Sequence, residues 1–202
     1  MMHNRMQRPH SPKRDEGFTL IEVMIAIVVM AVGLLAVIAS FATAVTATQS
    51  AEEDLIARQK VMEAMESIYT ARNSQQIPFA SVANVSNGGI FLDGSQTLKC
   101  PGPDGLVNTN DDVNCTTQAG AVCPDNGAEC MVLPGPDGTL GTADDVTMSL
   151  GNFTRTVTVT PVLLANGTTN NDMMAISITV AYAKAGLPKR SFTANGLISR
   201  YH

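Results

Sequence analysis

Gly17-Phe18-Thr19-Leu20-Ile21-Glu22, followed by an apolar run reaching about Ala47, is the stretch on which the reading of this chain turns. From Phe18 to Ala47 the sole ionisable side chain is Glu22. A helix rising about 1.5 Å per residue needs roughly 20 apolar residues to cross the ~30 Å hydrocarbon core of a bilayer, and the run is long enough. It contains no proline, and Gly33 is its one weak position. The expected element is one unbroken helix entered through the motif.

The entrance is unusual. A short leader carries Arg5, Arg8, Lys13 and Arg14, and Gly17 then abuts the apolar segment directly. An ordinary secretory signal places its small-residue cleavage site after the apolar region, which is then lost. A cut at Gly17 would keep the helix. A carboxylate near the start of a membrane helix costs about 2.5–3.5 kcal/mol on insertion scales, so Glu22 is expected to have a use.

From Gly17 to Glu22 every position matches the motif of the type IV pilin family, which the chain resembles over about residues 15 to 72. That family comprises prepilins, pseudopilins and their minor subunits. The resemblance implies that prepilin peptidase cuts between Gly17 and Phe18 and N-methylates Phe18. It implies that Glu22 neutralises the α-amino group of Phe18, on its own chain or a neighbour's, because opposite charges buried together avoid the cost of burying either alone. Other pilin subunits and an inner-membrane assembly platform are the further partners implied. The basic leader fits a cytoplasmic N-terminus. The expected placement is a single-pass inner-membrane protein with its head in the periplasm, later in a pilus or pseudopilus.

Five segments are expected: a leader at 1–17, a membrane or filament-core half of the helix at 18–47, an amphipathic half at 48–72, a loop-rich region at 73–152, and an antiparallel sheet at 153–202. The fold class is α+β, with the amphipathic half of the helix laid on the sheet. The chain of 202 residues has formal charge −5; the leader's four basic residues against Asp15 and Glu16 contribute +2, leaving −7 for the rest. Such an acidic chain is a poor nucleic-acid binder. His3 and His10 lie in the leader and His202 at the end, so no Ser-His-Asp or Cys-His centre can be assembled. The chain reads as a structural subunit, not an enzyme, with no organic cofactor.

Along the second half of the helix, Leu55, Met62, Met65 and Tyr69 recur at helical spacing, widened by Ile56, Val61 and Ile68. Glu53, Lys60, Glu63 and Glu66 are expected on the opposite, solvated side. Asn73-Ser74 and Pro78 end the helix. Residues 73–99 read as loop, with a short strand at Gly89–Leu92. Three strands are expected from alternation: Phe153–Val162, Met174–Ala183 and Ser191–Ser199, with turns at Asn166-Gly167 and Gly186-Leu187-Pro188.

Residues 101–113 (Pro-Gly-Pro-Asp-Gly-Leu-Val-Asn-Thr-Asn-Asp-Asp-Val) recur at 134–146 as Pro-Gly-Pro-Asp-Gly-Thr-Leu-Gly-Thr-Ala-Asp-Asp-Val, with nine of thirteen positions identical. Each copy brings three carboxylates to one tight loop: Asp104, Asp111 and Asp112, then Asp137, Asp144 and Asp145. Like charges held close call for a cation, and Ca²⁺ takes about six to eight oxygens, with carbonyls and Thr109 or Thr142 to complete the shell. The spacing is not that of an EF-hand. It resembles the Asp- and Gly-rich loop of major pseudopilins, where that family binds calcium; solvated turns with acidic tips are the other reading. Cys100, Cys115, Cys123 and Cys130 lie in the same region without a Cys-x-x-Cys or nearby histidine, which argues against zinc and for two disulfides. Of the three pairings, Cys100 with Cys115 and Cys123 with Cys130 is expected, because the first would clamp the first loop.

Three functions fit. Val32-Gly33-Leu34-Leu35-Ala36 resembles the minor pilins that modify pilus assembly and adhesion, and a helix without proline leans the same way. A type II secretion pseudopilin is the alternative, supported by the calcium-like loops. A calcium-dependent adhesin or DNA-uptake tip pilin is the third; it would need an exposed basic or aromatic patch, for which the head offers Lys99, Arg155, Lys184, Lys189, Arg190 and Arg200.

Overall fold

The structure, a computed structural model, describes residues 17–183 and 188–201. The leader short of Gly17, the Gly186-Leu187 part of the expected turn, Lys184 and His202 lie outside the described residues. The chain divides between Thr48 and Gln49 into two compact units. The long helix α1 (Leu20–Asn73) contributes to both.

In the first unit every described residue is exposed, including Leu20, Ile25, Val29, Leu35 and Phe41. An 18-residue window with mean hydropathy 2.9 makes this part of α1 long and apolar enough to cross a membrane. The Ser and Thr residues that thin the run return their hydroxyls to the helix: Ser40 donates to the Ala36 carbonyl at 2.9 Å and Thr48 to Ala44 at 3.0 Å. These hydroxyls therefore need no water.

The second unit is a helix-on-sheet layer. Among the described residues α1 is followed by eight strands: β1 (Ser95–Thr97), β2 (Cys115–Gln118), β3 (Ala121–Gly127), β4 (Cys130–Leu133), β5 (Val146–Ser149), β6 (Phe153–Leu163), β7 (Thr169–Tyr182) and β8 (Arg190–Ser199). The main sheet has the order β1-β6-β7-β8, and its described pairings are all antiparallel. β2 with β3 and β4 with β5 form two small two-stranded sheets. The region 73–152, expected as loop, thus holds five short strands. Gly89–Leu92 is not a strand; Phe91 makes one isolated bridge to Asn84, and β1 forms further on. Four of them have three or four residues, too short for alternation to show, and β3, of seven, carries Pro124, Asp125 and Asn126 in place of an apolar alternation.

Strand alternation puts Phe153, Val157, Val159, Ile176, Ile178, Val180 and Ile198 on the face that meets α1. Each such buried branched or aromatic side chain contributes about 1.5–3 kcal/mol. The helix face that meets them differs from the expected one. Ile56, Val61, Met65 and Ile68 are buried, but Leu55 is 67% and Met62 58% exposed. The inward seam instead runs through Ala57, Ala64 and Ala71, with Lys60 and Arg72 interleaved. Tyr69, at the margin, donates from its hydroxyl to the Leu197 carbonyl at 3.1 Å. A Cβ at Gly196 would collide with the Tyr69 hydroxyl. The helix ends in a Schellman turn: Gln76 N–H donates to Ala71 O at 2.9 Å and Gln75 N–H to Arg72 O at 3.1 Å, with Gln75 at φ 62°.

Lys60 is only 4% exposed, against the expectation of a solvated position. Its ammonium is paired with the buried Glu129, in the β3–β4 connection, and lies 2.8 Å from Glu63. Burial works against the charge, but the field and hydrogen bonds of Glu129 and Glu63 more than offset it and raise the Lys60 pKa. Gln118 donates to Glu129 at 3.3 Å and accepts from the Cys130 N–H, so the pair pins the cysteine region to the helix. Asp54 similarly receives the Tyr182 hydroxyl at 2.7 Å and Arg190 at 2.8 Å.

Removing one member of a buried pair strands the other charge, which costs about 3–5 kcal/mol, whereas an apolar replacement of both is near neutral. Lys60→Met alone is expected to lose that much in chemical denaturation, and Lys60→Met with Glu129→Leu to recover most of it. Because the Lys60 pKa is raised, the pair's contribution holds below the ordinary lysine pKa and is lost only as pH rises beyond it.

Candidate functional site

Two features carry candidate chemistry, one in each unit. In the first, Thr19 begins α1. Its Oγ1 accepts the Glu22 N–H at 3.3 Å, and its carbonyl accepts Glu22 N–H at 3.1 Å and Val23 N–H at 3.2 Å. Thr19 is therefore the N-cap and Glu22 the third helical residue, the Thr-x-x-Glu spacing of a capping box. Glu22 also puts a negative charge in the first turn, where the helix dipole favours it. Gly17 and Phe18 are left outside the helix as exposed backbone, with nothing within 4 Å of the Gly17 Cβ position. A peptide bond there is open to a protease. The sequence reading missed Thr19, although the signal, a Thr three residues before a Glu, was present.

In the second unit both copies of the repeat fold the same way. Each neck is closed by an antiparallel bridge, Cys100 with Val113 and Leu133 with Val146. In the first loop the Asp104 N–H donates to Asp111 Oδ2 at 3.2 Å and Leu106 N–H to Asp104 Oδ1 at 2.8 Å. Asn108 N–H donates to Asp112 Oδ2 at 2.8 Å, and the Thr109 hydroxyl to Asp111 Oδ1 at 2.6 Å. The second loop repeats these bonds from Asp137, Thr139, Gly141 and Thr142 to Asp144, Asp137, Asp145 and Asp144, at 3.2, 2.8, 2.6 and 2.6 Å. Gly102 and Gly135 are placed alike: a Cβ at either would strike the backbone of Asp111 or Asp144 unless the loop shifts. Asn108 and Gly141 occupy the same left-handed position, at φ 67° and 89°.

Their surroundings differ. Leu106, Val107, Asn108 and Thr109 are buried, whereas Thr139, Leu140, Gly141 and Thr142 are exposed. Behind the first loop, Arg155 of β6 donates from Nε to Asn108 Oδ1 at 3.1 Å. Arg155 is buried, so the basic residues expected as an exposed patch do not include it. Burial raises the Asp104 and Asp112 pKa values, the nearby Asp111 charge adding to the rise at Asp104. Hydroxyl donation by Thr109 and Thr142 lowers those of Asp111 and Asp144.

The structure brings Asp104 to Asp111 and Asp137 to Asp144, while Asp112 and Asp145 accept backbone N–H groups across the loop and share the Thr109 or Thr142 hydroxyl with Asp111 or Asp144. Among the described residues no three His, Cys, Asp or Glu groups converge as a metal cage. The oxygen-only donors of each loop are of the type a hard cation takes, with main-chain oxygens needed to complete any shell. Disulfides join Cys100 to Cys115 and Cys123 to Cys130, and all four cysteines pack in one cluster. The first bond lies at the neck of the first loop.

Residues 12–38 match the family model for the prokaryotic N-terminal methylation motif. The chain is thus type IV pilin-like in its N-terminal segment. The motif indicates a structural protein, and it implies processing by prepilin peptidase and assembly with other pilin subunits. No curated protein and no solved structure matches the chain.

Since loop 1 is packed into the core and loop 2 is not, the same substitution has unequal effects. Gly102→Ala is expected to destabilise the protein by about 2–3 kcal/mol, and Gly135→Ala by under about 1 kcal/mol. Denaturation midpoints of the two variants, compared side by side, measure this.

Proposed function

We propose that this protein is a structural minor pilin of a type IV pilus. It is cut between Gly17 and Phe18, methylated at Phe18 and assembled through its N-terminal helix, with Glu22 pairing to a Phe18 amine. The observation that carries this reading is the exposed Gly17-Phe18 backbone, set directly before a capped, apolar helix whose first turn holds the segment's one carboxylate. The head is taken to lie in the periplasm before assembly, on an inner-membrane anchor. Mass spectrometry of filaments sheared from cells, beside the membrane fraction, tests it. The expected result is a chain beginning at methylated Phe18 in the sheared material. A processed chain confined to membranes would favour a type II secretion pseudopilin instead, a reading supported by the two acidic loops. An uncut chain would overturn both.

Glu22→Ala is expected to give a processed, membrane-inserted chain that enters filaments at a small fraction of the normal level, read by immunoblot of sheared filaments. Normal incorporation would remove the charge-pairing role.

We also propose that the acidic loops take up Ca²⁺, with Asp104 and Asp111, or Asp137 and Asp144, as carboxylate ligands and Asp112 or Asp145 bracing the loop. The nearness of two carboxylates in each copy supports it, since a cation relieves their repulsion. Titration of calcium into the full chain in detergent should release or absorb heat that Asp111→Ala or Asp144→Ala reduces. A heat-silent titration with no shift in melting temperature would remove the proposal.

A further inference from the structure

The end of the β6–β7 hairpin projects from the main sheet. β1 pairs with β6 only up to Thr156, and β8 with β7 only from Met173, so the ribbon from Pro161 to Asn171 has no neighbouring strand. Every residue from Leu163 to Thr169 is exposed. The turn is closed by the Leu164 N–H on the Thr168 carbonyl and the Gly167 N–H on the Leu164 carbonyl, both at 2.8 Å, with Gly167 at φ 81°.

At the apex stands Asn166-Gly167-Thr168, an Asn-x-Ser/Thr tripeptide without proline, the acceptor pattern for a glycan on asparagine. Thr168 closes on Asn166 twice: its hydroxyl donates to Asn166 Oδ1 at 2.6 Å and its N–H to the same oxygen at 3.0 Å. Both bonds go to the oxygen, which leaves the Nδ2 hydrogens of an exposed residue to an outside partner. They also draw electron density toward the oxygen, which eases the loss of an Nδ2 proton.

The same tripeptide pattern occurs three more times, and the fold employs each differently. Asn84 is buried, its amide spent on the Val157 carbonyl and the Val159 N–H. In Asn114-Cys115-Thr116 the middle residue is buried in its disulfide. In Asn152-Phe153-Thr154 the middle residue is a core side chain, and the Thr154 hydroxyl donates to the Ala181 carbonyl at 3.4 Å. Of these four described tripeptides, Asn166-Gly167-Thr168 alone turns its hydroxyl back on its own carboxamide.

We propose that Asn166 is an N-glycosylation site that accepts its sugar from a lipid-pyrophosphate-linked glycan. Nδ2 attacks C1 of the first sugar, and the N–C1 bond forms as the bond from C1 to the pyrophosphate oxygen breaks. The electron pair of that bond leaves with the lipid pyrophosphate, and the Nδ2 proton passes to a base of the transferase; no oxidant or reductant enters. The attached glycan stands over Leu163 and Leu164, the exposed leucines of the hairpin end. The site rests on the proposed export of the head, which brings Asn166 to the side of the membrane where such donors are used.

The test is peptide mass spectrometry on the protein isolated from its own cells, with fragmentation that keeps sugars attached. The tryptic peptide Thr156–Lys184 holds Asn166 and no other Asn-x-Ser/Thr. Its mass is expected to be raised by whole sugar residues located on Asn166. The increment should disappear in Asn166→Gln and in Thr168→Val, and persist in Thr168→Ser, which keeps the hydroxyl. The N-terminus is read in the same digest. An unmodified Thr156–Lys184 peptide from a chain beginning at Phe18 would overturn the glycan and leave the filament reading standing; the same peptide from an uncut chain would overturn both. A sugar retained in Asn166→Gln or Thr168→Val would overturn the assignment as well, since it would be linked through another residue or made without the Thr168 hydroxyl.

Discussion

The head depends on the packing of one face of α1 against the sheet. Its inward face interleaves Ala57, Ala64 and Ala71, one every seventh residue, with the larger Ile56, Val61, Met65 and Ile68, which meet the strands. That packing sets the Tyr69 side chain where a Cβ at Gly196 on β8 would stand, and it leaves Ile68, Ile178 and Val180 with almost no accessible surface. It also decides the fate of the polar residues caught on the seam. Lys60 cannot reach water past the packed layer and must find Glu129, while Arg72 stretches to the Arg200 carbonyl at 2.7 Å and lies over the Phe79 ring. The buried polar contacts of Lys60 and Arg72 follow from the apolar packing around them.

This explains which parts of the fold were legible in the sequence. The long helix, its end near Asn73 and the three long strands could be read because periodicity is set by burial on one face of a regular element. The choice of helix face could not. Leu55 and Met62 outweigh alanine in any hydrophobic pattern, yet the buried face takes Ala57, Ala64 and Ala71 among Ile56, Val61, Met65 and Ile68 and leaves Leu55 and Met62 in solvent. Lys60 was misread for the same reason: its partner Glu129 is 69 residues away and its pairing is a tertiary fact. β1 to β5 were missed because they show no apolar alternation and are defined by their backbone pairing with distant strands or neighbours.

The candidate sites show the same division. The processing motif is local, so its residues were legible, and only the capping role of Thr19 had to be seen in the structure. The repeat is also local: nine shared residues suffice to reproduce the same hydrogen bonds twice, down to the left-handed residue that is Asn in one copy and Gly in the other. What the repeat does not carry is its setting. One copy is docked on Arg155 of β6 and the other stands in solvent, a difference that lies outside the thirteen residues.

The sheet's β1 edge has a further consequence. β1 covers only Thr154–Thr156 of β6, which would leave the rest of that strand with open backbone groups. Asn84 fills the gap: its amide nitrogen donates to the Val157 carbonyl and its amide oxygen accepts the Val159 N–H, both at 2.8 Å. Two residues on, Pro161 has no N–H to offer. One side chain and one imino acid therefore act as a blind hem along this edge. Heads brought side by side at high local density are denied the strand-to-strand stitching that would turn an ordered array into an aggregate.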